Sequence, residues 1–154
     1  MLPQRMLRVV CVVALTLATA ASAQQAPFGT AAEARAMLER VVAAVKADKA
    51  QALAMFNKGE DGCKDRDLQP FCFNGSDGTV TAATVPHVLG TDIRALKDKT
   101  GKTCGQELYH AAREGNITEV SDLLPRPGTD PPLYQKVSVL TGVGDQGCGV
   151  GYFT

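Results

Sequence analysis

Five cysteines, two histidines and a strand of alternating glycines are the residues here with the chemistry or spacing to form a site. Four of the cysteines, Cys63, Cys72, Cys104 and Cys148, lie in the body of the chain, and Cys11 sits in an apolar N-terminal run. No Cys-x-x-Cys pair occurs, and no Cys/His group has zinc spacing. The thiols therefore read as structural disulfides ahead of redox or metal chemistry, with three connectivities open to four cysteines. His87 and His110 are too far apart to suggest a His-based metal site. His87, in a loop, could donate to a ligand and change charge near neutral pH. It could equally be a surface residue. Arg126, in a Pro-rich turn, could clamp a carboxylate through two parallel hydrogen bonds. Lys136, at the start of a strand, could face an acidic ligand. Both also read as solvated side chains. Phe71, Phe73 and Tyr152 could line an apolar pocket or serve as core aromatics. Tyr109 reads as core and His110 as solvent-facing.

Gly147, Gly149 and Gly151 alternate with Cys148, Val150 and Tyr152. Side chains alternate across a strand, so one face of this one is bare backbone. Such a face permits close approach, either of a packed helix or of a ligand over a cavity floor. Glu60, Asp61, Asp65 and Asp67 form an acidic cluster without the alternating oxygen ligands and placed glycine of a calcium loop. They read as a solvated loop. No nucleophile elbow, zinc motif or dinucleotide fingerprint occurs. No catalytic residue, metal or cofactor is assigned, and the chain does not read as an enzyme.

The elements that must hold these residues follow from patterning. Residues 1–23 read as a secretory signal peptide: Arg5 and Arg8, an apolar stretch from Val9 to Ala21, and the small-x-small site Ala21-Ser22-Ala23. Its removal from the 154 residues leaves 131, with fourteen basic against sixteen acidic side chains and a net charge of about −2. The expected location is periplasmic or secreted. That balance excludes the basic excess of a nucleic-acid binder. No apolar run reaches the roughly 18 residues of a membrane span.

Thr30-Ala31-Ala32-Glu33 fits a capping box and opens a helix that Gly59 stops. Met37, Val41, Val45, Ala52 and Phe56 form its apolar stripe. Unbroken, it would span roughly 40 Å at 1.5 Å per residue, wider than a small domain. It must project, bend near Asp48 or meet another chain. Strands are expected at Leu68–Phe73 and Thr79–Ala83, joined through Asn74-Gly75 and Asp77-Gly78. Short helices follow at Asp92–Asp98 and Gln106–Arg113. Three more strands run over Ile117–Leu124, Lys136–Val143 and Gly147–Tyr152. Strands in runs, with helices segregated from them, give an α+β domain with a largely antiparallel sheet.

Several short motifs occur in a familiar order. They are Leu68-Gln69-Pro70-Phe71-Cys72-Phe73, the Ser76–Val80 turn, Val88-Leu89-Gly90-Thr91-Asp92, Pro125-Arg126-Pro127-Gly128, Lys136-Val137-Ser138 and Gly147–Tyr152. Together they resemble a single Cache domain of bacterial extracytoplasmic sensors, over nearly all of residues 24–154. The resemblance implies a PAS-like fold, with a long N-terminal helix packed on a five-stranded antiparallel sheet. It implies a pocket between the sheet and the segments joining the second and third strands. Such domains bind small molecules, often organic acids, and are usually the sensing part of chemoreceptors or histidine kinases, so a membrane receptor or kinase is an expected partner. It also makes neighbours of the first and last strands, so Cys72 would bridge Cys148, leaving Cys63 to pair with Cys104. Ligand contacts are then expected from Phe71, Phe73, His87, Arg126, Lys136 and Tyr152. Two departures stand out. Ala83-Thr84-Val85-Pro86 replaces a His-Pro-Asn-Pro stretch common in the family, and Asp122 stands where a Tyr is frequent. The rival expectation is an interaction module that has lost its pocket and forms a homodimer through the long helix.

Overall fold

The computed structural model describes residues 26–60, 62–128 and 131–154. The expected signal segment lies outside the described residues, as does Asp61 of the acidic loop. The order of elements is two helices, two strands, two short 3-10 turns, a helix and three strands.

The N-terminal helical region is broken where its length required relief. Helix α1 spans Ala31–Ala47 and α2 spans Lys49–Lys58. Thr30 caps α1, accepting from the Glu33 amide at 3.2 Å, and Glu33 returns the bond to the Thr30 amide at 2.8 Å. Asp48 ends one helix and starts the next. Its backbone is extended, its N–H donates to the Ala44 carbonyl, and its carboxylate accepts from the Gln51 amide at 3.0 Å. A short acidic side chain competes well for free amides at a helix start, which is why the break falls there. Gly59 closes α2 in the left-handed conformation at φ 68°.

Five strands form one antiparallel sheet: β1 (Gln69–Asn74), β2 (Val80–Ala83), β3 (Thr118–Leu124), β4 (Tyr134–Val143) and β5 (Gln146–Phe153). Their spatial order is β2-β1-β5-β4-β3. The first and last strands are therefore central neighbours, as the resemblance implied. Helix α3 spans Cys104–Ala111, and 3-10 turns occupy Pro86–Val88 and Ile93–Ala95. The segment expected as a helix over Asp92–Asp98 makes only this single turn. Asp92 caps it, accepting from the Arg94 amide at 2.9 Å.

The two faces of the sheet carry separate cores. On one, α1 and α2 bury Met37, Leu38, Val41, Val45 and Phe56 against Cys72, Val139, Cys148 and Val150. On the other, Phe73, Val80, Ile93, Leu108, Val120 and Leu140 gather under α3 and the turns. Cys72 and Cys148 face each other in register and are joined by a disulfide. The second expected bridge is not formed. Cys63 belongs to the helix-side core, whereas Cys104 opens α3 on the opposite face. The whole sheet separates the two thiols.

Both sheet borders are occupied. Along β2, the Asn57 side chain donates to the Thr81 carbonyl at 3.2 Å and accepts from the Ala83 amide at 2.9 Å. Along β3, Leu123 donates to Asp98 Oδ2 at 3.2 Å and accepts from the Lys99 amide at 3.2 Å. Lys102 Nζ donates to the Ser121 carbonyl at 3.0 Å.

Candidate functional site

A cavity of about 380 Å³ lies on the α3 face of the sheet. Its floor is Gln69, Pro70 and Phe71 of β1, with Val80 and Ala83 of β2. Its roof is Thr84, Val85, His87 and Val88, followed by Ile93, Leu96, Lys97 and Lys99. Cys104 and Leu108 of α3, Asp122 and Leu124 of β3, and Lys136 of β4 close the remaining side. The Thr84 hydroxyl donates to Gln69 Oε1 and ties the start of the roof to the floor. This is the position the resemblance implied, between the sheet and the segments joining β2 to β3.

The bare glycine face explains the floor. A Cβ on Gly149 would lie 2.6 Å from Phe71 Cζ and 2.9 Å from Leu140 Cβ. One on Gly147 would strike the Phe73 ring and reach the Ala112 Cβ at 2.8 Å, and one on Gly151 would strike the stem of Lys136. Glycine at these three positions lets the aromatic rings and the lysine of neighbouring strands lie flat across β5. The space is thus filled by cross-strand side chains, with the end of α3 approaching only at Gly147. Two of those side chains, Phe71 and Lys136, line the cavity.

The polar groups of the cavity are unevenly charged. Lys97, Lys99 and Lys136 are its cations, and Asp122 is its acid. Asp122 is 7 % exposed, and its Oδ1 is buried without a hydrogen-bond partner. Burial raises its pKa, opposed chiefly by the charge of Lys136. Burial likewise pushes the Cys104 thiol up to about 11, with the Asp122 charge adding to it. A thiol so protonated is a poor nucleophile at neutral pH. Asp98 supports the lysine-bearing rim. Its Oδ1 accepts from the Thr100 amide and hydroxyl at 2.8 and 2.6 Å and from the Lys102 amide at 3.0 Å. The Thr100 bond, aided by those from backbone amides, holds the Asp98 carboxyl down to about 2.

Of the six expected contact residues, Phe71, His87 and Lys136 line this cavity. Phe73 lies beside it in the core under α3. Tyr152 packs on the other face, against the helix-side core, because it shares the parity of Cys148. Arg126 is also elsewhere. Its guanidinium stacks 4.0 Å from the Phe28 ring centre and 4.5 Å from that of Tyr134, pinning the lead-in to α1. Arg66 holds the same lead-in, donating to the Ala26 and Phe28 carbonyls at 3.2 and 2.8 Å and pairing with Glu33 at 2.7 Å. Asp122, Cys104, Lys97 and Lys99 were not expected as contacts. The Tyr-to-Asp departure at position 122 was the one sequence signal for any of them.

No protein-family model and no curated protein matches the chain. Solved structures do match. A methyl-accepting chemotaxis protein from Vibrio parahaemolyticus superposes with a TM-score of 0.61 at 19 % identity, over 79 % of this chain and 86 % of that one. The periplasmic sensor domain of a chemotaxis protein gives 0.56 at 21 %, over 80 % and 89 %. A Cache chemosensory domain, described with its recognition of carboxylic acid, gives 0.55 at 18 %, over 80 % and 87 %. At such identities the likeness establishes the fold.

Proposed function

We propose, from a chain that carries the Cache sensor fold, that this protein is an extracytoplasmic sensory domain for a small organic acid. The observation that carries the reading is the cavity, whose largely apolar walls include three lysines, two of them on its exposed rim, and one buried acid. A mostly apolar concavity with a few convergent polar groups is the usual build of a small-molecule site. Lys136 is the principal cation for the acid, because its stem is fixed over Gly151 and less freedom is lost when it binds. The Cys72–Cys148 disulfide supports an oxidising compartment, in keeping with residues 1–23 as an export signal.

The β2-to-β3 segments close over the ligand in this reading, and a second protein, a membrane receptor or kinase, reads the altered surface. The domain performs no chemistry on what it binds. Thermal unfolding of the purified protein against a panel of small mono- and dicarboxylic acids tests this. Some acids should raise the melting temperature, and Lys136→Met should remove most of that rise. Uniform indifference to a broad panel of acids, amines and amino acids would sink the reading.

A further inference from the structure

Asp122 is a buried acid that its neighbours, the Cys104 thiol and the charge of Lys136, satisfy only in part. It pairs in register with Lys136 across β3 and β4. The two side chains nevertheless form none of the ion pairs found among the described residues. Lys136 instead runs its stem along the glycine strand. The nearby Cys104 thiol offers only a weak S–H donor, and that hydrogen has a competing acceptor in the Leu96 carbonyl at 3.8 Å. Asp122 Oδ1 is left buried and unsatisfied on the wall of a cavity. A buried carboxylate oxygen without a donor is costly, and structures normally avoid it.

We infer that the ligand supplies the missing donor: it is a small aliphatic amino acid whose ammonium group binds the Asp122 carboxylate while its own carboxylate binds the lysine side. The inference rests on the ligand-binding reading above and narrows it. An ammonium carries three donors and a positive charge, so its bond to a buried carboxylate is charge-assisted. A plain monocarboxylate entering the same cavity would bring a second negative charge beside Asp122, which disfavours both ionised groups. The α-amino acid removes that conflict. Val80, Ile93 and Leu108 offer apolar wall for a short alkyl side chain. The volume of about 380 Å³ lies near the lower end for small-molecule sites, which suits a ligand of this size.

Matched pairs of ligands test the inference. Titration calorimetry on the purified wild-type protein compares L-valine with 3-methylbutanoate and L-alanine with propanoate. Each pair differs in the amine alone. The amino acid of at least one pair should bind at least about tenfold more tightly, because a site built around a donor discriminates against analogues lacking it. Asp122→Asn should abolish that preference while leaving the des-amino acid bound at least as tightly as before. Equal or tighter binding of the des-amino acids to wild type overturns the inference and leaves the organic-acid reading standing. Binding of neither member of either pair also overturns it. Indifference to the wider acid panel as well would overturn both readings. If Asp122→Asn fails to fold by circular dichroism, the wild-type ratio decides alone.

Discussion

The two faces of the sheet are built from the same strands and do opposite work. The helix face is apolar, carries the disulfide, and is covered by α1 and α2, which bury their apolar stripe against it. The cavity face is covered by short turns and the eight-residue α3, and it keeps an acid, a thiol and three lysines around an open volume. Strand parity is what allows this. Successive residues point to opposite faces, so β5 can set Cys148 and Val150 into the stable core while Gly149 and Gly151 make room on the other side. If the cavity binds a ligand as proposed, stability and binding fall to alternating positions of one strand. Substitutions one residue apart should have unlike consequences.

The largest separation of the two roles should come from the disulfide. Its closed loop spans 76 residues, and its loss as Cys72→Ala with Cys148→Ala should cost about 4 kcal/mol in the chain-entropy account. Denaturant unfolding measures this, and ligand selectivity should survive wherever the variant still folds. Next is Leu38→Ala, which empties a site 1 % exposed on the helix side and should cost about 3 kcal/mol. If it altered selectivity as much as stability, the division between faces would be wrong.

Gly149→Ala probes the other face. Its methyl would meet Phe71 and Leu140, and Phe71 must then move into the cavity. We expect a stability loss of about 2 kcal/mol, typical of overpacking, with loss of the ligand-dependent rise in melting temperature. Retained binding at full strength would show that the floor is not where ligands sit. The smallest effect is electrostatic. The folded Asp98 carboxyl is held at about 2, against about 3.9 when unfolded. Its folded pKa is depressed, so its contribution to stability is complete above about pH 4 and is lost as pH falls toward 2. Melting curves of wild type and Asp98→Asn should run apart at neutral pH and converge near pH 2. Curves that stayed parallel down to that pH would remove Asp98 from the account.

The elements were legible where a local rule dictates them. Thr30 and Glu33 announce the start of α1, Gly59 announces the end of α2, and helix length required a projection, a bend near Asp48 or a second chain, of which the structure shows the bend. The glycine alternation marked the special strand correctly. It could not say that rings and a lysine from the neighbouring strands would fill the bare face, because those partners come from β1 and β4. Tyr152 was excludable in principle. If Cys72 bridges Cys148, then residues 148, 150 and 152 all face away from Phe71. Arg126 and Cys63 were beyond reach, since the first is claimed by a ring 98 positions earlier, at Phe28, and the second by helices that only the tertiary fold brings over it. Asp122 carried a signal only through its departure from a familiar pattern, and its burial depends on α3 closing above β3.

The closed borders of the sheet bear on how such a domain lives among many copies of itself. An open strand edge is an adhesive strip, and any extended chain, including another copy in the act of folding, can lengthen the sheet by one strand. Here an asparagine from α2 imitates a neighbouring strand along one border, and the Asp98–Lys102 loop does so along the other. Those bonds occupy backbone groups that an added strand would need at each border. In the sensory role proposed above, a protein that reads this domain would meet chiefly the helices and turns on either side of the sheet.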